Sequence, residues 1–219
     1  MINVTLKDGS VIQVEKGSTL LDVAEKISEG FARKVLSATV DGEVHGLPLP
    51  LKHDCTVNFH TFEDEGGRLA FRHTCSHVLA QAVKRLYPEV KLAIGPAIDD
   101  GFYYDVDSDF PFTPDILAKL EVEMRKIIKE NIPLVRYEMP RAQAIQYMES
   151  LKEPYKVELI QDLPEDVAIS FYSQGDFTDL CAGPHLISTG KLKGNAIKLT
   201  SCTGAYWRGD SKRKMLQRI

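Results

Sequence analysis

The sequence predicts an α+β protein of two domains, and three observations carry that expectation. A turn-linked pair of extended runs, then a helix and further extended runs, fills about the first sixty residues. The stretch Glu63-Asp64-Glu65-Gly66-Gly67, charged and without apolar periodicity, interrupts that pattern. Beyond it, longer helical periods alternate with short extended runs, the pattern of a larger α/β unit. The chain has 219 residues, 43% apolar and 26% charged, enough for two cores and too apolar for whole-chain disorder.

In the first domain, residues 1–62, NVTL and VIQV flank Lys7-Asp8-Gly9-Ser10, a hairpin signal. Ser18 is expected to cap a helix through TLLDVAEKIS, with Leu20, Leu21, Val23, Ala24 and Ile27 on one face. Extended runs follow near Ser37–Val40 and Thr56–His60, completing a ubiquitin-like β-grasp pattern. His45, His53 and His60 share no spacing and are read as surface or packing residues. Residues 63–67 are read as a linker.

The second domain, residues 68–208, opens on the helical stretch RLAFRHTCSHVLAQAVKRLY, ended by Pro88. LAIGPAI and GFYYDV read as strands. An amphipathic helix is expected from Asp115 to about Glu130, through Ile116, Leu117, Leu120, Met124, Ile127 and Ile128. Leu134–Tyr137, helices near Ala142–Leu151 and Tyr155–Ile160, and a strand at Val167–Tyr172 follow. Residues 209–219 read as an uncapped helix cut from something longer.

Composition bounds the function. No apolar run approaches the ~18 residues of a membrane span. The start MINVTLKDGS has no basic flank and no apolar signal-peptide core. Four cysteines, at 55, 75, 181 and 202, show no framework spacing, which predicts free thiols in a reducing cytoplasm. The net charge of -4 conceals a gradient: -2 over residues 1–62, -9 over 63–190 and +7 over 191–219. A basic end suits a polyanion such as RNA, and equally a solvated face.

Two pairs carry chemistry. His73 and His77, four apart on a helix, project from one face. Cys181 and His185 share that interval, but Gly183-Pro184 puts them on a turn. Together they form a tetrahedral zinc set by ligand type. Three imidazoles and a thiol beside the carboxylate of Asp179 equally suit an ion-free site that orders a water and passes protons. Thr74 rules out the H-E-x-x-H signature.

The stretches HTCSHVLAQAVKRLYPEVKLAIGPAIDDGFYYDV and DLCAGPHLISTGKLKGNAIKLTSCTGAYWRGDSKRKMLQRI resemble the editing domain of bacterial threonyl-tRNA synthetases, within the wider alanyl/threonyl editing family. The β-grasp part resembles the TGS domain that precedes it in that family. This resemblance covers essentially the whole chain, with residues 209–219 matching a linker toward a catalytic core that is not present.

The resemblance implies hydrolysis of the ester of seryl-tRNA(Thr). Serine lacks one methyl of threonine, worth only about 1–3 kcal/mol, so a synthesis pocket cannot exclude it and a second, smaller pocket must remove it. By the resemblance, His73 and Lys156 are catalytic: His73 holds or activates the water, and Lys156 positions a water or neutralises negative charge. Asp179 would pair with the substrate ammonium, and His77, Cys181 and His185 would shape the serine pocket. Tyr104 would support the terminal adenosine by stacking, against core packing as the plain alternative. Tyr206, Trp207, Arg208 and Lys212-Arg213-Lys214 would touch the acceptor stem or serve only as an interdomain linker.

Threonyl members look metal-free and alanyl members use the quartet for zinc, so no cofactor is expected here. Zinc and ATP with Mg belong to the missing core. The implied partner is the tRNA(Thr) 3′ end carrying serine, with no membrane; the fragment is expected to be monomeric although the full family enzyme is a homodimer. The competing readings are a non-catalytic tRNA- or ribosome-binding module with a structural zinc site at His73, His77, Cys181 and His185, and a free-standing metal-dependent esterase.

Overall fold

The computed structural model describes residues 1–219, which divide by their contacts into two compact units. One comprises residues 1–74 with 183–187, the other residues 75–182 with 188–219.

In the first unit, β1 (Ile2–Leu6) and β2 (Val11–Val14) form the expected antiparallel hairpin. The Asp8 carboxylate accepts from the Ser10 amide and hydroxyl, and Gly9 takes a φ of +84° that a side chain would disfavour. Helices α1 (Leu20–Ile27) and α2 (Glu29–Lys34) precede β3 (Ser37–Val40), β4 (Glu43–Gly46) and β5 (Cys55–His60). The sheet order is β2-β1-β5-β3-β4, with β1 parallel to β5, a β-grasp arrangement. Val4, Leu20, Val23, Ala38, Leu47 and Val57 build its core.

The cap of α1 is Thr19 rather than Ser18. Its hydroxyl accepts from Asp22 N while the Asp22 carboxylate accepts from Thr19 N, a reciprocal capping box. Ile27 is exposed, because Ser28 ends α1 and starts α2. His60 is a packing residue whose Nε2 lies 2.7 Å from Thr39 Oγ1.

Helix α3 (Glu65–Leu86) starts inside the stretch read as a linker. Gly66 and Gly67 lie in its first turn for steric reasons rather than for flexibility. A Cβ on Gly67 would stand 1.8 Å from the Thr61 carbonyl oxygen, and one on Gly66 2.9 Å from the His60 ring.

The second unit holds three small sheets. Strands β6 (Lys91–Leu92) and β9 (Asp105–Asp107) join the last two strands of the chain, β13 (Thr203–Tyr206) and β14 (Met215–Arg218), in the order β13-β14-β9-β6. Strands β7 (Ala97–Ile98) and β8 (Gly101–Phe102) form a two-residue hairpin. Strands β10 (Val135–Met139), β11 (Ile169–Gln174) and β12 (Phe177–Leu180) form an antiparallel meander. Helices α5 (Arg141–Ser150) and α6 (Pro154–Asp162) pack with it through Ala144, Met148, Ile160, Ile169 and Phe171. The amphipathic α4 (Pro114–Glu130) buries Leu117, Leu120, Met124, Ile127 and Ile128 and ends on left-handed Asn131. No helix is long and apolar enough to cross a membrane.

The expected helix over residues 209–219 is not there. Asp210 turns the chain by accepting from the Lys212 amide, and β14 pairs with both β13 and β9. Leu216 is buried, and Arg218 forks onto Asp105 at 2.8 and 2.9 Å while lying over the Tyr103 ring. These non-local contacts outweigh the helical propensity of Lys-Arg-Lys-Met-Leu-Gln-Arg.

Candidate functional site

Four elements of the second unit deliver one buried polar cluster. Tyr104 follows β8, Lys156 projects from the first turn of α6, Asp179 is the next-to-last residue of β12 and His77 lies on α3. The Lys156 ammonium donates to Asp179 Oδ1 at 2.6 Å and to the Tyr104 hydroxyl at 2.8 Å. The Tyr104 hydroxyl in turn donates to Asp179 Oδ2, closing a triangle. His77 Nε2 lies 3.7 Å from the same oxygen. Burial, and next the Asp179 carboxylate, hold the Tyr104 phenol well above its ordinary pKa, so it stays neutral and both accepts and donates.

This geometry corrects the stacking expected of Tyr104. The side chain is 1% exposed, with no face left for a base. Gly95 explains its seat, since a Cβ there would stand 2.1 Å from the ring. Ser76, on α3, donates to the Gly95 carbonyl at 2.6 Å and pins that backbone. In sequence, Gly95-Pro96 reads as a turn determinant rather than a phosphate cradle, since no strand-loop-helix glycine motif surrounds it. The signal that was available is a glycine a few residues from an aromatic strand, which does not identify its partner.

Glu153 was also missed. It is buried at the N-terminus of α6 yet makes no side-chain cap there. Its carboxylate instead accepts from Lys84 Nζ and from the Leu92 amide, each at 2.7 Å. Burial pushes its pKa up, and these two donors oppose the shift. Glu153 thereby ties the turn that carries Lys156 to α3 and β6. Lys84, Glu153, Lys156 and Asp179, alternating in sign, line a cavity of about 200 Å³.

In the first unit, the His73 and His185 rings stack at 4.2 Å between centroids, tilted by 31°. Cis Gly183-Pro184 precedes His185, and Gly183 has a φ of +84°. The His185 carbonyl comes within 3.0 Å of where a Cβ on Gly46 would stand, a tight approach that glycine at this position of β4 eases. His77 and His185 are buried, and His73 and Cys181 half-buried.

His73 and His185 belong to the first unit, His77 and Cys181 to the second. By type these residues fit zinc. All four cysteines are free thiols.

The basic end is largely spent on neighbours within its own unit. Arg213 and Arg208 pair with Glu158, Arg208 also with Asp162, Lys214 with Asp107, Arg218 with Asp105 and Lys198 with Glu121. Trp207 is buried against Tyr155 and donates to Glu158 at 3.1 Å, so it is a packing residue. Tyr206 remains exposed.

Comparison with known proteins gives two domain matches. Residues 2–61 match the TGS domain, and residues 169–219 match the threonyl and alanyl tRNA synthetase second additional domain. Across all 219 residues the chain is 63% identical to a threonine–tRNA ligase of Acetivibrio thermocellus, 62% to one of Clostridium tetani and 61% to one of Clostridium kluyveri. In each case it spans 34% of the relative's length.

Proposed function

We propose that this chain, which corresponds over its whole length to part of the threonine–tRNA ligases and carries their TGS and second additional domains, is an editing hydrolase that releases serine from mischarged tRNA(Thr). The observation that carries this reading is the buried triangle of Lys156, Asp179 and Tyr104, with His77 beside its carboxylate.

Water attacks the carbonyl carbon of the aminoacyl ester, the ester oxygen leaves as the ribose hydroxyl, and serine departs as the free acid. His73 takes the proton of the attacking water, its ring held against His185. Lys156 supplies a fixed positive charge for the developing oxyanion, and Tyr104 keeps its ammonium in place without moving at the moment of reaction. Asp179 receives the substrate's α-ammonium through oxygens already aimed at cationic groups. His77, Cys181 and His185 bound the space for the serine side chain, where the extra methyl of threonine meets their atoms. In the whole ligase this step follows a charging reaction carried out by other parts of the protein.

The deciding experiment is a paired deacylation assay of seryl-tRNA(Thr) and threonyl-tRNA(Thr) with this chain. Faster release of serine is expected. Intact seryl-tRNA at near-stoichiometric protein would refute the reading.

The ligand type of the His73, His77, Cys181 and His185 group favours one other reading, a tRNA- or ribosome-binding module with a structural zinc. There the four would hold the ion, and chelation would unfold the chain without any turnover to lose.

A further inference from the structure

Thr74 stands between His73 and the rest of α3, is wholly buried, and occupies the position that a zinc protease motif would give to glutamate. Its hydroxyl oxygen has three polar neighbours. The Ala70 carbonyl oxygen lies at 2.7 Å, the Leu186 amide nitrogen at 3.0 Å and His185 Nδ1 at 3.2 Å.

A threonine hydroxyl has one proton to give and two lone pairs to offer. The carbonyl of Ala70 can only accept, so the hydroxyl proton goes there; without it two acceptor oxygens would face each other at 2.7 Å. The Leu186 amide can only donate, and it takes one lone pair. One lone pair then remains for His185 Nδ1, which must carry a proton to use it. This count fixes the neutral imidazole as the Nδ1–H tautomer, with its lone pair on Nε2.

We propose that Thr74 is a positioning residue, setting the tautomer and the ring orientation of His185, with the imidazole lone pair on Nε2. The proposal deepens the editing reading and rests on it for its consequence in catalysis. Leu186, next in sequence, is held by the same oxygen, so one hydroxyl orients both the imidazole and its backbone. A valine at position 74 would match threonine in shape and would leave His185 Nδ1 and Leu186 N without their acceptor.

The test compares Thr74→Val and Thr74→Ser in the full chain by two measurements. The first is two-dimensional NMR of ¹⁵N-labelled histidine rings at mildly alkaline pH, with His185→Gln supplying the assignment. The second is single-turnover deacylation of seryl-tRNA(Thr), expressed per folded molecule from circular dichroism. Expected are an Nδ1–H signature for His185 in the parent and in Thr74→Ser, and loss of that signature in Thr74→Val. The maximal rate is expected to fall by roughly 10–100-fold in Thr74→Val, the usual effect of removing a group that orients a site histidine, with half-saturation unchanged. Thr74→Ser should restore the rate to within about threefold, since it keeps the hydroxyl.

An Nε2–H signature in the parent, or an unchanged Nδ1–H signature in Thr74→Val, would overturn the assignment. A changed tautomer with an unchanged rate per folded molecule would overturn the positioning role. A parent that does not deacylate seryl-tRNA would sink the editing reading while the ring signatures still judge the tautomer.

Discussion

Lys156 and Asp179 meet at 2.6 Å with side chains only 4% and 3% exposed, an ion pair taken almost wholly out of water. Such a pair stabilises little as a whole, but breaking one side leaves the other charge buried and alone. Asp179→Asn is therefore expected to lower stability by about 3–5 kcal/mol in urea unfolding and to abolish deacylation. Lys156→Met should damage folding less than Asp179→Asn, because the neutral Tyr104 hydroxyl still donates to the remaining carboxylate.

His73 is only half-buried and stacks on His185 rather than anchoring a charge. His73→Ala should reduce the deacylation rate by roughly 100- to 10,000-fold, the range for a lost general base, and leave the melting temperature within a few degrees of the parent. Single-turnover kinetics and calorimetry on one preparation check both halves.

An ion-free reaction is expected to survive chelation. The chain dialysed against a strong zinc chelator should keep its deacylation rate and its circular dichroism spectrum. Stoichiometric zinc in elemental analysis, with unfolding on its removal, would transfer the four ligand-type residues to the structural reading.

Arg218 shows where the carboxy-terminal charge goes. Its fork on the buried Asp105 closes β14 onto β9. Arg218→Ala should cost about 1–3 kcal/mol in unfolding, as expected for charged hydrogen bonds at a partly exposed site, and leave the salt dependence of tRNA binding unchanged.

Acid should weaken the first unit through a set of carboxylates that accept backbone amides. Asp22 is held below the usual aspartate pKa by the Thr19 amide, Asp41 by that of Thr56, Asp54 by that of Asn3 and Asp64 by that of Thr61. A depressed folded pKa contributes stability that is complete above the unfolded value, about 3.9, and is lost as pH falls through the folded one. Thermal melts should be flat from neutrality to about pH 5 and fall steeply below about pH 4. Asp54→Asn should reduce that slope.

The β-hairpin around Asp8-Gly9, the cores of α1 and α4, and the shared face of His73 and His77 were legible because they depend on neighbours within one turn or one strand. Lys156, by contrast, reads locally as an exposed lysine on a charged helix, and only the family resemblance singled it out. Nothing nearby in sequence signals the burial of Tyr104, the use of Glu153 to tie α6 down, or the strand at residues 215–218.

By itself the sequence determined most of the local elements, though not the strand at residues 215–218, and the residue types that can do ester hydrolysis. Only the tertiary structure decided how those residues are used: Tyr104 as a buried hinge between Lys156 and Asp179, Thr74 as the partner of His185, and most of the basic end as ion pairs. The physical reason is that local periodicity records which way a side chain points. Which donor meets which acceptor is settled by segments such as Ala70–Thr74 and His185–Leu186, more than a hundred residues apart, folding against each other.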